Sequence, residues 1–153
     1  MMSSYFVVIH KDEDSSFGAY FPDLPGCFAA GETQDQALDN ARISLRLYIE
    51  DLIEDGKPIP APGSLQAMSE DAAVKADLSD GHGFLLAVPL LYADKKRRVN
   101  VTLEPSLIAA VDEAARIAGT NRSDYLATAA RHEIEKTTGA VFIDAPPPRR
   151  KVA

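Results

Sequence analysis

Three polar side chains alternate with aliphatic ones near residue 100. Arg98, Asn100 and Thr102 are separated by single valines, and the run ends at a leucine. In an extended strand, alternate side chains point to opposite faces, so the polar groups would share one face and the aliphatic groups the other. Two such strands, once paired, present a polar ribbon that fits the major groove of DNA. The chemistry expected here is therefore hydrogen bonding to nucleic acid.

Two helices are expected directly after this strand. Pro105 suits the first turn of a helix, and Gly119 suits the C-terminal cap of that helix. Asn121 is a favourable N-cap for the second helix, and Asp124 complements its positive end. Between these signals, aliphatic residues repeat at helical spacing. They are Leu107, Ile108, Val111, Ala115 and Ala118 in the first helix, and Leu126, Ala129, Ala130 and Ile134 in the second.

One strand and two short helices cannot complete a core, because a lone strand needs a partner. We therefore expect a homodimer in which two copies of the strand pair antiparallel, with four helices packed beneath them. The alternative is that these residues have no role in binding DNA, because a basic run before a strand is also common at a solvent-exposed edge of a sheet.

This region resembles the ribbon-helix-helix family of DNA-binding proteins. The resemblance rests on Arg98-Val99-Asn100-Val101-Thr102-Leu103 and on Gly119-Thr120-Asn121-Arg122-Ser123. It implies that the polar residues of the strand read base edges and that the start of the second helix holds a phosphate. The expected DNA contacts are Lys96, Arg98, Asn100, Thr102, Asn121, Arg122 and Ser123.

The charge of the chain is unevenly distributed. Residues 1–93 hold 5 Lys+Arg against 15 Asp+Glu, and residues 94–153 hold 11 against 8. The basic part suits phosphate, whereas the acidic part would repel nucleic acid and suits a basic protein partner. The single cysteine excludes an internal disulfide and fits a reducing cytoplasm. No apolar run approaches the ~20 residues of a membrane span.

The first 60 residues predict a strand meander followed by one long helix, which is an α+β arrangement. The helix should begin after Thr33, which Gln36 joins in a capping box, and should end at Gly56. Residues 58–80 are interpreted as a loop with a helical turn around residues 70–76. Strands are expected at residues 5–10, 17–21, 27–30 and 84–88.

This first part resembles the HicB antitoxin family. The resemblance rests on Phe21-Pro22-Asp23-Leu24-Pro25-Gly26-Cys27, on Gly31-Glu32-Thr33, and on the helix pattern of Ala37, Leu38 and Ala41. It implies a degenerate ribonuclease H-like domain without working catalytic carboxylates. It also implies a partner, a small basic HicA-like ribonuclease toxin that the antitoxin neutralises. Members often end in a DNA-binding domain, and the strand at Arg98 favours the ribbon-helix-helix type.

We therefore expect a type II antitoxin with no enzymatic activity and no cofactor or metal. Residues 1–90 would mask the toxin, and residues 95–136 would dimerise and bind a palindromic operator, so that the chain represses its own operon. Residues 137–153 would be a flexible tail. Toxin contacts are expected in the turn at Phe21, Asp23, Leu24 and Pro25, with Leu24 and Pro25 exposed, unless this turn is only a rigid hairpin connection.

Two other functions are considered. A stand-alone ribbon-helix-helix repressor could use the acidic domain to bind a ligand or another protein. A metal-dependent nuclease would need carboxylates converging from strand interiors, whereas the acids beside the first strand lie in a turn. These acids are Asp12, Glu13 and Asp14. His10, His82 and His132 have no metal-binding spacing, and Cys27 is expected to be a packed residue rather than a nucleophile.

Overall fold

The structure is a computed structural model that describes residues 2–11, 13–79 and 81–146. Asp12 of the acidic turn and residues 147–153 of the expected tail lie outside the described residues. The chain divides into two compact units. The first takes in the described residues up to Asp94 and from Gly139 onward, and the second is Lys95–Thr138.

A five-stranded sheet forms the centre of the first unit, in the order β3-β2-β1-β4-β5. All neighbours in the sheet are antiparallel except β4 and β5, which are parallel. The central strand β1 is apolar on both faces, and both Val7 and Val8 are fully buried. The strands are β1 (Met2–Lys11), β2 (Phe17–Tyr20), β3 (Phe28–Gly31), β4 (Phe84–Tyr92) and β5 (Val141–Ile143).

The long helix α1 (Gln34–Glu54) covers one face of this sheet. Thr33 is its N-cap, as predicted, because the Thr33 hydroxyl accepts a hydrogen bond from the Gln36 N–H at 3.1 Å. The Gln36 side chain accepts from the Glu32 N–H at 2.7 Å, so the capping box closes one residue earlier than the usual pairing. The helix buries a stripe with a four-residue repeat against the strands. The stripe is Ala37, Ala41, Leu45 and Ile49.

Residues 58–80 contain more helix than the sequence pattern predicts. Ser64 and Asp71 each accept a hydrogen bond from the backbone N–H three residues later, at 3.1 and 3.0 Å, and so start a short helix each. The hydrophobic signal is weak because each helix buries one residue, Met68 in the first and Val74 in the second. The two helices are α2 (Leu65–Glu70) and α3 (Ala72–Ser79).

Strand β4 extends beyond Val88, where the sequence predicts its end at Pro89. Pro89 pairs with Ser4 of β1, and β5 pairs with β4 only from Leu90 onward. At Pro89 the strand therefore has a neighbour on one side only, where a missing N–H is tolerated. The flexible tail expected from residue 137 does not hold for residues 141–143, which form β5 and pair with residues 90–92.

The second unit contains α4 (Pro105–Ile117) and α5 (Arg122–Thr138). Gly119 follows α4 with a positive φ of 69°. The Thr120 N–H donates to the Ala115 carbonyl at 2.9 Å, which completes the predicted glycine cap. Residues 98–103, predicted as a strand, have no regular secondary structure in the single chain.

The first unit is α+β, as predicted. The ribonuclease H-like and ribbon-helix-helix assignments stay predictions. None of the described helices is long and apolar enough to cross a membrane.

Candidate nucleic-acid interface and the Phe21 to Cys27 turn

The cationic segment, which we define as residues 95–104, is solvent-exposed along nearly its whole length. The side chains of Arg98, Asn100 and Thr102 are all exposed, as a DNA-reading face requires. The aliphatic face is exposed as well, with Val99 76% and Val101 66% accessible. The alternation of the sequence is therefore present, but the single chain does not bury the aliphatic face.

Lys96 and Asn121 meet at the start of α5 through a shared carboxylate. The Lys96 ammonium lies 2.6 Å from Oδ1 of Asp124, and the Asn121 amide nitrogen donates to Oδ2 of Asp124 at 2.8 Å. Oδ1 of Asn121 accepts from the Asp124 backbone N–H at 2.9 Å, so Asn121 is the N-cap of α5, as predicted. The hydrogen bond from Lys96, and then that from Asn121, lowers the pKa of Asp124.

Arg122 points toward α4. Its guanidinium makes a two-point contact with Asp112, with Nε to Oδ1 and Nη2 to Oδ2 both at 2.7 Å. The hydrogen bond from Arg122 lowers the pKa of Asp112. This pair joins the two helices across the turn between them. Asp112 was missed at the sequence level because it lies ten residues before Arg122, outside any local helical spacing.

The start of α5 is where the sequence predicts a phosphate contact. Backbone N–H groups in the first turn of a helix have no intrahelical partner, and they carry the positive end of the helix dipole. Ser123 lies in this turn and is exposed. A phosphate that approached here would meet Lys96 and Arg122, each of which already contacts a carboxylate on an exposed surface. Such exposed ion pairs contribute little to stability.

The second unit buries very little apolar surface of its own. Among its described residues only Val111 and Ala115 of α4 are buried hydrophobics, and α5 has no buried residue over its 17 positions. Several large aliphatic side chains remain exposed in this unit. They are Val99, Val101, Leu107, Ile117 and Ile134.

Two of the four predicted toxin contacts in the turn are buried. Leu24 is fully buried and Phe21 nearly so, and both belong to the core of the first unit. The expectation that Leu24 is exposed is therefore wrong, because the turn folds its apolar side chains inward under the sheet. Phe21 cannot offer a contact surface for the same reason. Pro25, at the outer end of the turn, is exposed.

Asp23 holds the following loop in place. Its Oδ2 accepts from the Gly63 N–H at 2.7 Å, and a β-carbon at Gly63 would crowd the ends of the Asp23 and Met68 side chains. The hydroxyl of Tyr48 on α1 donates to the Pro25 carbonyl at 3.0 Å, which fixes the turn to the helix. These contacts favour the rigid-connection interpretation of the turn.

Cys27 does not have the setting of a nucleophile. Cys27 is buried in the core, and burial raises the pKa of its thiol to about 11, so it stays protonated and packed. Within the described ranges, no three His, Cys, Asp or Glu side chains come close enough together to hold a metal ion.

Comparison with known proteins places both units in one family. Residues 5–130 match the family model described as the HicB-like antitoxin of bacterial toxin–antitoxin systems. The chain belongs to the HicB-like antitoxin family. The chain is 30% identical over 103 residues to antitoxin HicB 1 of Photorhabdus laumondii. This alignment covers 67% of this chain and 56% of that protein.

Two further relatives of this HicB-like antitoxin differ in how much of it they match. A UPF0150 protein of Thermoplasma acidophilum is 45% identical over 56 residues, covering 37% of this chain and 81% of that protein. The crystal structure of the Burkholderia pseudomallei antitoxin HicB aligns over 84% of this chain and 96% of that chain, at 25% identity and a TM-score of 0.48.

Proposed function

We propose that this HicB-like antitoxin binds and masks a small basic HicA-like ribonuclease toxin through its first unit. We further propose that the second unit forms a ribbon-helix-helix dimer that represses the operon encoding the chain. The family assignment supports the first part. The observation that carries the second part is the small core of the second unit.

Dimerisation supplies the core that the second unit lacks. A 17-residue helix is marginal in water without tertiary packing, and α5 buries no residue within one chain. If two cationic segments pair antiparallel, Val99 and Val101 turn inward onto the helices of both chains. Each segment also gains hydrogen-bond partners for its backbone, which a single strand lacks.

The outer face of the paired segments would carry Arg98, Asn100 and Thr102 from each chain. Arginine pairs with two acceptors of guanine, and asparagine pairs with adenine, so this face can read a base sequence in the major groove. The start of α5, with Lys96 and Arg122 beside it, would bind a phosphate and fix the position of the ribbon. Two-fold symmetry of the dimer predicts a palindromic operator.

Masking of the toxin requires no chemistry from the antitoxin. A ribonuclease binds RNA phosphates with basic residues, and residues 1–93 of this chain have a balance of −10, from 5 Lys+Arg and 15 Asp+Glu. Complementary potentials favour fast and specific association of two such proteins. A bound antitoxin that covers the RNA-binding surface would exclude the substrate.

The test combines toxin rescue with operator binding. A small basic protein encoded beside the gene of this chain would be the candidate toxin, and it is expressed alone and together with the chain. We expect arrested growth in the first case, and restored growth with copurification of the two proteins in the second. The purified chain should also shift a duplex from the region upstream of its gene more strongly than a scrambled duplex. Restored growth without operator binding would refute the repressor part, and operator binding without rescue would refute the antitoxin part.

A further inference from the structure

The outward face of α1 carries two large aliphatic side chains that the fold does not use. Ile43 and Leu47 are 57% and 56% exposed, and they lie one helical turn apart. The core-facing stripe of α1 runs along the opposite side of the helix, so neither residue contributes to the packing of the sheet. We call this outward surface of α1 the α1 face.

Acidic residues follow this aliphatic pair toward the end of the helix. Glu50, Asp51 and Glu54 lie within two turns of Leu47, whereas the carboxylate of the C-cap Asp55 is paired with the Lys57 ammonium at 2.8 Å. The last turn of α1, all of which is described, has no basic residue. Carboxylates at a helix C-terminus face the negative end of the helix dipole, so they disfavour the helix.

Both features are unfavourable or neutral for the folding of the chain itself. Exposed aliphatic groups and carboxylates at the wrong end of a helix become favourable together only against a surface that is apolar at its centre and cationic around it. We infer that the α1 face is the docking surface for the basic ribonuclease toxin, with Ile43 and Leu47 as the central apolar contacts. This inference rests on the antitoxin function proposed above.

A second copy of the chain suits this surface poorly. A two-fold contact centred on Ile43 and Leu47 would pack the two helices antiparallel. The carboxylates at the end of one helix would then face the first half of the other, where Asp35 and Asp39 lie and Arg42 is already paired with Asp39. Like charges repel at such an interface. The RNA-binding surface of a ribonuclease has the opposite charge. If the α1 face bound to that surface, its carboxylates would lie where the RNA phosphates bind. The antitoxin would then exclude the RNA substrate directly.

The α1 face is also rigid before binding. Thr33 caps the start of the helix, and the buried stripe from Ala37 to Ile49 holds its length against the sheet. A surface that is ordered in advance loses little conformational entropy on association. The short turn at Pro25 offers no comparable apolar area, because its leucine and phenylalanine are in the core.

The experiment measures toxin affinity of full-length variants by calorimetry, with the neighbouring small basic protein as an active-site-inactivated probe. Leu47→Lys and Ile43→Lys are compared with Leu65→Lys, a control at a leucine that is 61% exposed on α2. Lysine is a good helix former, so the exposed helix positions should stay folded. Unchanged thermal unfolding verifies this for each variant.

We expect Leu47→Lys and Ile43→Lys to weaken toxin binding by about tenfold or more, as for central interface residues. Leu65→Lys should change it less than about twofold. The triple variant Glu50→Gln, Asp51→Asn and Glu54→Gln should bind more weakly and with a shallower salt dependence.

Three results would overturn the inference. If the wild-type chain fails to bind the probe, the proposed antitoxin function fails with it. If the wild type binds and Leu47→Lys binds equally well, only the location of the docking surface is wrong. If Leu47→Lys changes the sedimentation of the chain alone and leaves toxin affinity unchanged, the α1 face is a contact between copies of the chain.

Discussion

Replacement of Val101 by aspartate should separate the two chains of the dimer and leave the first unit intact. In the single chain Val101 is 66% exposed, so dimerisation would bury about two thirds of its side chain. Full burial of such a side chain contributes about 1.5–3 kcal/mol, which gives roughly 1–2 kcal/mol per chain and 2–4 kcal/mol per dimer. Loss of this contribution alone raises the dimer dissociation constant roughly 30-fold to several hundred-fold. The aspartate adds the cost of a buried charge to this loss.

The assay is sedimentation equilibrium of the full chain at micromolar concentration, together with an operator shift assay. We expect Val101→Asp to sediment as a monomer and to lose operator binding, while toxin binding persists because the first unit is unaltered. Leu65→Asp is the matched control, since Leu65 is also an exposed aliphatic residue, 61% accessible, but lies on α2 in the first unit. This variant should remain a dimer and keep operator binding. A Val101→Asp chain that remains dimeric, or that binds the operator as a monomer, would refute the paired-strand reasoning.

Three further results are expected. Asn100→Ala should reduce discrimination between operator and scrambled duplex by about 1–3 kcal/mol in competition assays, and an equal loss for both duplexes would exclude base reading. Leu24→Ala should lower the free energy of unfolding of the first unit by about 2–5 kcal/mol in urea titration, whereas a value near zero would contradict its place in the core. Because ion pairs lower the pKa of Asp112 and Asp124, their stabilisation of the second unit should be complete at neutral pH. It should be lost as pH falls below about 4, and Asp112→Asn should remove part of this acid dependence in thermal unfolding.

Local signals in the sequence were sufficient to predict the ends of those helices whose caps are formed by neighbouring residues. Thr33 and Gln36 start α1, Asn121 starts α5, and Gly119 ends α4, each through contacts within a few positions of the chain. The buried side of α1 could also be predicted locally, because the spacing of its apolar residues alone shows which side of the helix faces a core.

The missed features depend on contacts between distant residues. Strand β5 has three residues and pairs with β4 across the whole inserted second unit, so no local pattern marks it. Leu24 was expected to be exposed as a toxin contact, but it packs in the core of the first unit. The partner of Arg122 was missed because Asp112 belongs to the preceding helix. Residues 98–103 are a different case. Their proposed partner is the same segment of a second chain, and a strand without its partner cannot form hydrogen-bonded pairs.

The stoichiometry of the complex with operator DNA tests the central claim most directly. Native mass spectrometry of the full chain, mixed with a duplex from the region upstream of its gene, counts the chains bound to each duplex. Paired cationic segments predict two chains per duplex, or a higher even number. A complex of one chain with one duplex, stable at the same concentrations, would contradict the account.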